Sequence, residues 1–536
     1  MTSTAAADLI FGLTRVVGLP ALTEAAGAPL SAADIAQIVT EADRFCTEVL
    51  LPGAQAADRA GAVYANGVVT TPYRDAYARW MDGGWQSLAA PVEHGGQGLP
   101  AALWTAMTEL GMAADTSFML GPLLTAGAID CLVHHATPDQ AARWLPRMVS
   151  GEWTGAMCLT EPGAGSDLGV LRTRAEPLGD GRYALHGEKI FITWGDHDCT
   201  DNILYLVLAR LPDAPPGSKG ISLFACTKLR DDGTRNALRA GGIERKMGIH
   251  ASPTCVMVFE GAEAELIGEV HRGLPAMFAM MNNARLGVGT QGVAHGAAAL
   301  RLAEAYAEQR VQGGRPIARH PDVARMLMEM RATTLAARLL ALETALCVDR
   351  HALTGDAAAL ERLALLTPIL KAWCTDRGVE TASTGIQVHG GMGFVEDAGA
   401  AQVLRDARIA PIYEGTNGIQ AIDLLVRKLA KDGGAGMRAL IDEVKRVPDA
   451  RLRAAAETLE EATLAVLDAQ GRDADAAQSV AVAYLDAAGW VLGGWMLARA
   501  AAEDPSAYGP IAEFYLRRLL PRAGGRVAEI AGALAA

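Results

Sequence analysis

The apolar residues of this chain change period twice, and that double switch limits the folds open to it. Up to residue 150 helical stretches alternate with polar turns: Ala32 to Leu51, Pro72 to Met81, Leu103 to Ala114 and Pro138 to Met148. The Gly-rich interval Asp82 to Pro100 reads as an ordered loop, because each of its glycines weakens a helix. From Arg182 the period falls to two: Tyr183 and Leu185, then Ile190 and Ile192 opposite Phe191 and Thr193. Asn202 to Leu211, Ile221 to Lys228 and Thr254 to Glu260 repeat that strand character, with the turn Pro215-Pro216-Gly217 between two of them. Helical spacing returns near Leu274, and Val323, Met326, Leu327, Met330, Thr334 and Ala337 fall on one stripe. After the polar break Lys431 to Gly436, Leu459, Ala462, Val466 and Leu467 carry the same spacing into a last Ala-rich segment.

The predicted fold is therefore α+β and multidomain. It comprises an N-terminal helical domain (1–150), a middle antiparallel β domain (151–270), a C-terminal helical bundle (271–430) and an additional C-terminal helical domain (437–536). At 536 residues the chain is too long for one hydrophobic core and long enough to enclose a large cofactor.

Charge and cysteine usage exclude several classes. A formal net charge of −13 with no Lys/Arg-rich run repels polyanions, so no nucleic acid partner is expected. An anionic ligand must instead be held by a few arginines and backbone N–H groups. The eight cysteines lie far apart, without a C-x-x-C pair or a His/Cys cluster at ligand spacing. That pattern predicts no metal and reduced, buried thiols in a cytoplasmic protein. Met1 to Leu30 lacks a basic start and an unbroken apolar run, Asp8 and Glu24 interrupting it, so no secretory signal is expected. Trp490 to Ala498 falls well short of the ~20 residues that span a bilayer, and no membrane association is expected.

Three segments are candidates for chemistry, and each has a plainer reading. Met157-Cys-Leu-Thr-Glu-Pro-Gly-Ala-Gly-Ser-Asp167 offers Gly163 and Gly165 with the hydroxyls of Thr160 and Ser166, which suit a pyrophosphate cradle or an ordinary glycine turn. It lacks the G-x-G-x-x-G spacing of a dinucleotide fold. Lys189-Ile-Phe-Ile-Thr-Trp-Gly195 sets Phe191 and Thr193 on one side, which serves a planar cofactor or simply a strand. In Leu404 to Gln420, Glu414 sits among apolar neighbours between Pro411 and Gly415. Burial there raises a carboxyl pKa and makes a base, whereas exposure makes an ordinary helix-start glutamate. Gly287, Gly289, Gly292 and Gly296 crowd one helix, which implies close approach of another helix or of a ligand.

Taken in order, TEPGAGSD, KIFIT, KMGIHASPT (Lys246 to Thr254), HGGMGF and RDARIAPIYEGTNGIQ resemble the successive signatures of the acyl-CoA dehydrogenase family over most of the chain. GDHDCTDN, IYEGTNGIQAIDL and the extra C-terminal region look most like its long bacterial subgroup that includes 3-methylmercaptopropionyl-CoA dehydrogenases. The resemblance implies an FAD enzyme that turns an acyl-CoA into the trans-2-enoyl-CoA in fatty acid metabolism, with flavin N5 taking the β-hydrogen as hydride. It implies FAD contacts from Met157, Leu159, Thr160, Ser166, Phe191 and Thr193, with Thr416 and Asn417 near the cofactor and the flavin between the β domain and the bundle. Arg310, Gln387 and Gly391 would complete the adenine end of a neighbouring subunit's FAD, in a homodimer or homotetramer. Arg310-Val-Gln-Gly-Gly314 departs from the family, which often has phenylalanine after that arginine.

The resemblance also makes Glu414 the base, its own N–H and a ribityl hydroxyl holding the thioester oxygen. Arg285, Ser166 and Gly415 fall on the substrate side, Arg285 as an anchor for CoA. Some relatives carry their base beside that arginine, but Asn282, Asn283 and Ala284 offer no carboxylate. An electron-transfer flavoprotein is the implied acceptor. The acyl group is expected to be 3-methylmercaptopropionyl or a short or medium straight chain, with branched, aromatic and other acids as the remaining alternatives. The competing functions are a flavin acyl-CoA oxidase using oxygen, a DNA-binding alkylation-response flavoprotein, for which this acidic chain supplies no basic patch, and a purely structural helical assembly.

Overall fold

Strand structure begins before the alternation at Arg182 announces it. In the computed structural model, which describes residues 3–535, seven strands share one sheet: β1 (Trp153–Cys158), β2 (Arg174–Gly179), β3 (Arg182–Thr193), β4 (Asn202–Arg210), β5 (Ile221–Thr227), β6 (Leu238–Ile243) and β7 (Thr254–Ile267). β2, β3, β7, β5 and β4 hydrogen-bond in a ring, with β6 on β7 and β1 on β4. Most neighbours are antiparallel, as expected, but β1 runs parallel to β4 from Trp153↔Asn202 to Cys158↔Val207, so the sheet is mixed. β4 is buried along almost its whole length because both its faces are covered. Ile203, Tyr205 and Val207 meet Phe224, Cys255 and Met257 on one side. Leu204, Leu206 and Leu208 meet Ala128, Leu145, Met148 and Met280 on the other.

The chain divides into two compact units, Thr47–Pro100 with Ala114–Ala284, which holds the sheet, and Met1–Cys46 with Ala101–Ala113 and Arg285–Ala536. The helix expected at Leu103 to Ala114 extends over Ala101–His135, broken at Asp115 (φ −153°, ψ 98°). The Asp115 carboxylate restarts the helix by accepting from Phe118 N at 3.1 Å and is itself held by the Tyr73 hydroxyl at 2.8 Å.

In the helical unit, the part of Gly273–Gln309 from Arg285 onward, with Pro321–Thr354, Ala357–His389 and Ala481–Glu503, supplies the long elements. Packing accounts for Gly289, Gly292 and Gly296 of the crowded glycines. A Cβ on Gly292 would lie 2.4 Å from the Cys374 carbonyl oxygen, and one on Gly378 would lie 2.4 Å from that of Gly292. The backbones of two helices touch there. Residues 3–46 belong to this unit: Asp8 is buried against Arg331 and Arg338, and Phe11 stacks on Tyr508 at 4.2 Å. Arg338 also holds Glu109 through Nε at 2.8 Å, which closes a buried ion cluster.

Among the described residues two helices, Ala101–His135 and Ala481–Glu503, are each long and apolar enough to cross a bilayer, the second containing the stretch Trp490 to Ala498. Their apolar windows are 83% and 89% buried within the protein, which marks them as core helices here. All eight cysteines are free thiols; seven are buried and Cys199 is partly so.

Candidate active site

Between the helices Ala400–Ala407 and Asn417–Ile422 the chain turns sharply, and Glu414 lies at the turn. Its φ is +57° and that of Gly415 is +84°, so two consecutive residues are left-handed. For a non-glycine residue this costs on the order of 1–3 kcal/mol and persists only where surrounding contacts impose it. Those contacts are present. Asn417 N donates to Pro411 O at 3.0 Å, Gln420 Nε2 to Glu414 O at 3.1 Å, and Lys371 Nζ to Gly415 O at 2.7 Å. The Tyr413 hydroxyl donates to Oε1 of Gln291, and Thr416 caps the following helix by accepting from Ile419 N. Gly415 is required on two counts, its φ and the 2.8 Å that would separate a Cβ from Gln420 Nε2.

Glu414 itself is half-buried. Burial raises its carboxyl above the usual carboxylate range, opposed by the through-space charges of Arg285 and Lys371. Among the described residues its carboxylate takes no hydrogen bond. Burial likewise lowers Arg285, whose charge is supported by Asp423 and Glu414. Lys371 is wholly buried, and burial brings its ammonium down to about 7 against the favourable charges of Glu414 and Asp376. The product is a carboxylate of raised basicity, free to accept a proton, with its backbone fastened on both sides.

The other residues singled out from sequence fall in three places. In the sheet unit, Met157 is the last residue but one of β1, Leu159 is buried, and Thr160 and Ser166 reach the surface of the 159–167 loop. A Cβ on Gly163 or Gly165 would meet nothing within 4 Å, so this chain alone does not demand glycine there, and open space lies against the loop. Buried Lys189 fastens the loop from beneath through Leu159 O at 3.0 Å and Glu161 Oε1 at 2.8 Å. Glu161 also accepts from Arg172 N and Thr173 N. Simple alternation fails at Phe191, where β3 shifts register against β7 and φ is +60°. The bulge turns the Phe191 ring outward, 58% exposed, beside half-buried Thr193, while Lys189 goes inward.

At one end of the helical unit, Arg310, Gln387 and Gly391 are exposed, and the Tyr306 ring stacked 4.5 Å from His389 joins the helix ends that carry them. The unusual stretch after Arg310 is a tight hairpin, Val311–Gln312 against Arg315–Pro316, with Gly313 and Gly314 left-handed at its tip. Beside Glu414, Thr416 is exposed, but the Asn417 amide faces inward. It shares its two hydrogens among Ala372 O, Thr375 Oγ1 and Asp376 Oδ1 and accepts from Lys371, so its contacts fix it to the helix that carries them. Lys371, Gln291 and Gln420 were not anticipated. Their one signal is polarity at fully buried helical positions.

Residues 33–152, 156–262 and 271–429 match the acyl-CoA dehydrogenase N-terminal, middle and C-terminal domain families, and residues 435–535 match the acetyl-CoA dehydrogenase C-terminal-like family. A 3-methylmercaptopropionyl-CoA dehydrogenase of Ruegeria pomeroyi is 44% identical over 515 residues, which cover 90% of this chain and 88% of that protein. The chain belongs to the acyl-CoA dehydrogenase family, whose members are oxidoreductases. The fold agrees. ACDH-11 of Caenorhabditis elegans, solved with C11-CoA, superposes with a TM-score of 0.79 at 22% identity, covering 93% of this chain and 89% of that one. An acyl-CoA dehydrogenase of Bacillus anthracis complexed with FAD gives 0.78 at 23% identity, covering 94% and 89%. The helical, β, helical order read from periodicity, with its added C-terminal helical domain, is that of this acyl-CoA dehydrogenase family fold.

Proposed function

We propose that this protein is an FAD-dependent dehydrogenase of acyl-CoA thioesters in which Glu414 removes the α-proton. The observation that carries the reading is the Glu414 carboxyl: raised by burial, unengaged by hydrogen bonds among the described residues, and set on a fastened left-handed turn. An α-C–H next to a thioester is only weakly acidic, so its removal needs a base of raised pKa and a donor at the carbonyl oxygen. Glu414 N–H has no acceptor among the described residues and is available to that oxygen.

Met157, Leu159, Thr160, Ser166, Phe191 and Thr193 would hold FAD, and the open loop and the outward Phe191 ring fit a large planar ligand. FAD, when bound, supplies the acceptor for the β-hydrogen with its electron pair. Near the cofactor are assigned Thr416, which offers its hydroxyl, and Asn417. Arg310, Gln387 and Gly391 are assigned to the FAD of a second copy, which makes the protein a homodimer or homotetramer. Gly415, Ser166 and Arg285 are assigned to the substrate side, Arg285 as the anchor for CoA. The four-domain division at residues 150, 270 and 430, a cytoplasmic location and an electron-transfer flavoprotein as acceptor complete the proposal. The 44% identical relative favours 3-methylmercaptopropionyl-CoA as substrate, with short and medium straight-chain acyl-CoAs as the alternatives.

The test is anaerobic mixing of purified protein with a panel of these thioesters while the visible flavin absorbance is followed. One thioester should bleach the flavin, and Glu414→Gln should slow bleaching by at least about 10²-fold. A panel without bleaching, or Glu414→Gln bleaching at the parental rate, would overturn the reading.

A further inference from the structure

Lys371 lies mid-way along the helix Ala357–His389, in the otherwise apolar run Pro368 to Cys374, with none of its surface exposed. A fully buried ammonium is costly unless its charge is answered. Its Nζ donates to Gly415 O at 2.7 Å and Asn417 Oδ1 at 2.9 Å, both just beyond Glu414. Asn417 is fixed in turn to the same helix, donating to Ala372 O at 3.1 Å, Thr375 Oγ1 at 3.0 Å and Asp376 Oδ1 at 2.8 Å. One helical surface thus clamps the chain that follows Glu414. It grips backbone and amide atoms and leaves the Glu414 carboxylate untouched.

We propose that Lys371 is a positioning residue of the dehydrogenase site, fixing the left-handed Glu414–Gly415 turn from inside the bundle through Gly415 O and Asn417 Oδ1, with its charge acting on the Glu414 carboxylate across that short span. This rests on the reading of Glu414 as the base. The charged groups facing Lys371 are Glu414 and Asp376, which support its proton, and Arg285, which opposes it. Glu414 in turn is held down by Arg285 first and Lys371 second. The pair therefore titrates together, and loss of the Lys371 charge moves the Glu414 carboxyl further up.

The test compares the parent, Lys371→Met, Asn417→Ala and Glu414→Gln as flavin-loaded proteins. Flavin bleaching by the best thioester of the panel is followed against pH. Infrared difference spectra, each protein against Glu414→Gln, follow the protonated Glu414 carboxyl without substrate. In Lys371→Met the acid limb of bleaching and the infrared titration should both move upward by roughly one to two pH units. Asn417→Ala, which keeps the charge but loosens the clamp, should lower the maximal rate with little movement of either titration. Parental titrations in Lys371→Met overturn the electrostatic part, and a parental maximal rate in Asn417→Ala overturns the clamp. If Lys371→Met does not fold, the Asn417→Ala result decides. Parental bleaching in Glu414→Gln removes the base reading itself, an outcome distinct from both.

Discussion

Replacement of Gly292 by alanine should damage stability and chemistry together, through one contact. The added Cβ would lie 2.4 Å from the Cys374 carbonyl oxygen, 2.5 Å from its carbon and 2.6 Å from Thr375 N. These are backbone atoms of a helix, which cannot rotate aside as a side chain does. The helices must part by about 1 Å to recover ordinary van der Waals separation. Overpacking of this kind costs about 1–3 kcal/mol. Lys371, Thr375 and Asp376 ride on the retreating helix and hold the Glu414 turn, whereas Gln291, the partner of Tyr413, rides on the other. A misplacement of about 1 Å at a reacting group can cost about 10²-fold in rate. Urea unfolding and anaerobic flavin bleaching, the latter well below the midpoint, measure the two effects. Gly471→Ala, in a helix where a Cβ meets nothing within 4 Å, is the control and should be neutral or stabilising by up to about 1 kcal/mol. If Gly292→Ala unfolds at the parental midpoint and bleaches at the parental rate, the helices do not touch as described.

Two further outcomes follow from buried carboxylates. Asp349 accepts from Ala101 N at 2.5 Å and Ala102 N at 3.0 Å, and burial pushes its carboxyl up to about 7. Because that lies above its unfolded value of about 3.9, its stability contribution is full below about pH 4 and lost as pH rises through 7. Asp349→Asn should therefore flatten the urea midpoint between about pH 4 and 7 relative to the parent, and parallel curves would contradict the assignment. Lys189→Met should strand the Glu161 carboxylate, which also accepts from Arg172 N and Thr173 N, and destabilise by about 3–5 kcal/mol with loss of retained FAD. Adding Glu161→Gln should recover part of that loss, and no recovery would show that the ion pair is not the cause.

The order of elements was legible because β3, β4, β5 and β7 show either alternation or unbroken apolar runs, and the bundle shows a stripe. β1 was not, since Trp153 to Cys158 are almost all buried and small or apolar, so neither period emerges. The helix Ala101–His135 was read only to Ala114 for a related reason: the break at Asp115 interrupts it, and the run beyond is buried nearly all round. At the site, Glu414 was visible as a carboxylate among apolar residues. Phe191 was legible as a ring on the Thr193 side of a strand but not as a bulge, because backbone φ leaves no trace in residue type unless glycine supplies it. Lys371 carried a signal, a lone charge in an apolar helical run, that acquires meaning only when the Gly415 carbonyl is seen beside it. Asn417 was named for its place beside Glu414, but the direction of its amide is set by a helix some forty residues earlier in the chain.

The proposed base also shows why the fastening is arranged as it is. Hydrogen bonds made directly to the Glu414 carboxylate would orient it well but stabilise the anion and weaken the base. Orientation supplied through Glu414 O, Gly415 O and Asn417 avoids that conflict, since the grip is on the peptide backbone. The positive φ at Glu414 belongs to the same design: it changes the direction of the chain at the residue itself, and Gly415 continues the turn without a Cβ that would strike Gln420. Basicity is then set by burial and by the charges of Arg285 and Lys371, while the carboxylate keeps the freedom to meet a proton. Changes to those two charges should move the pH dependence of the reaction, whereas changes to the clamp should move its rate.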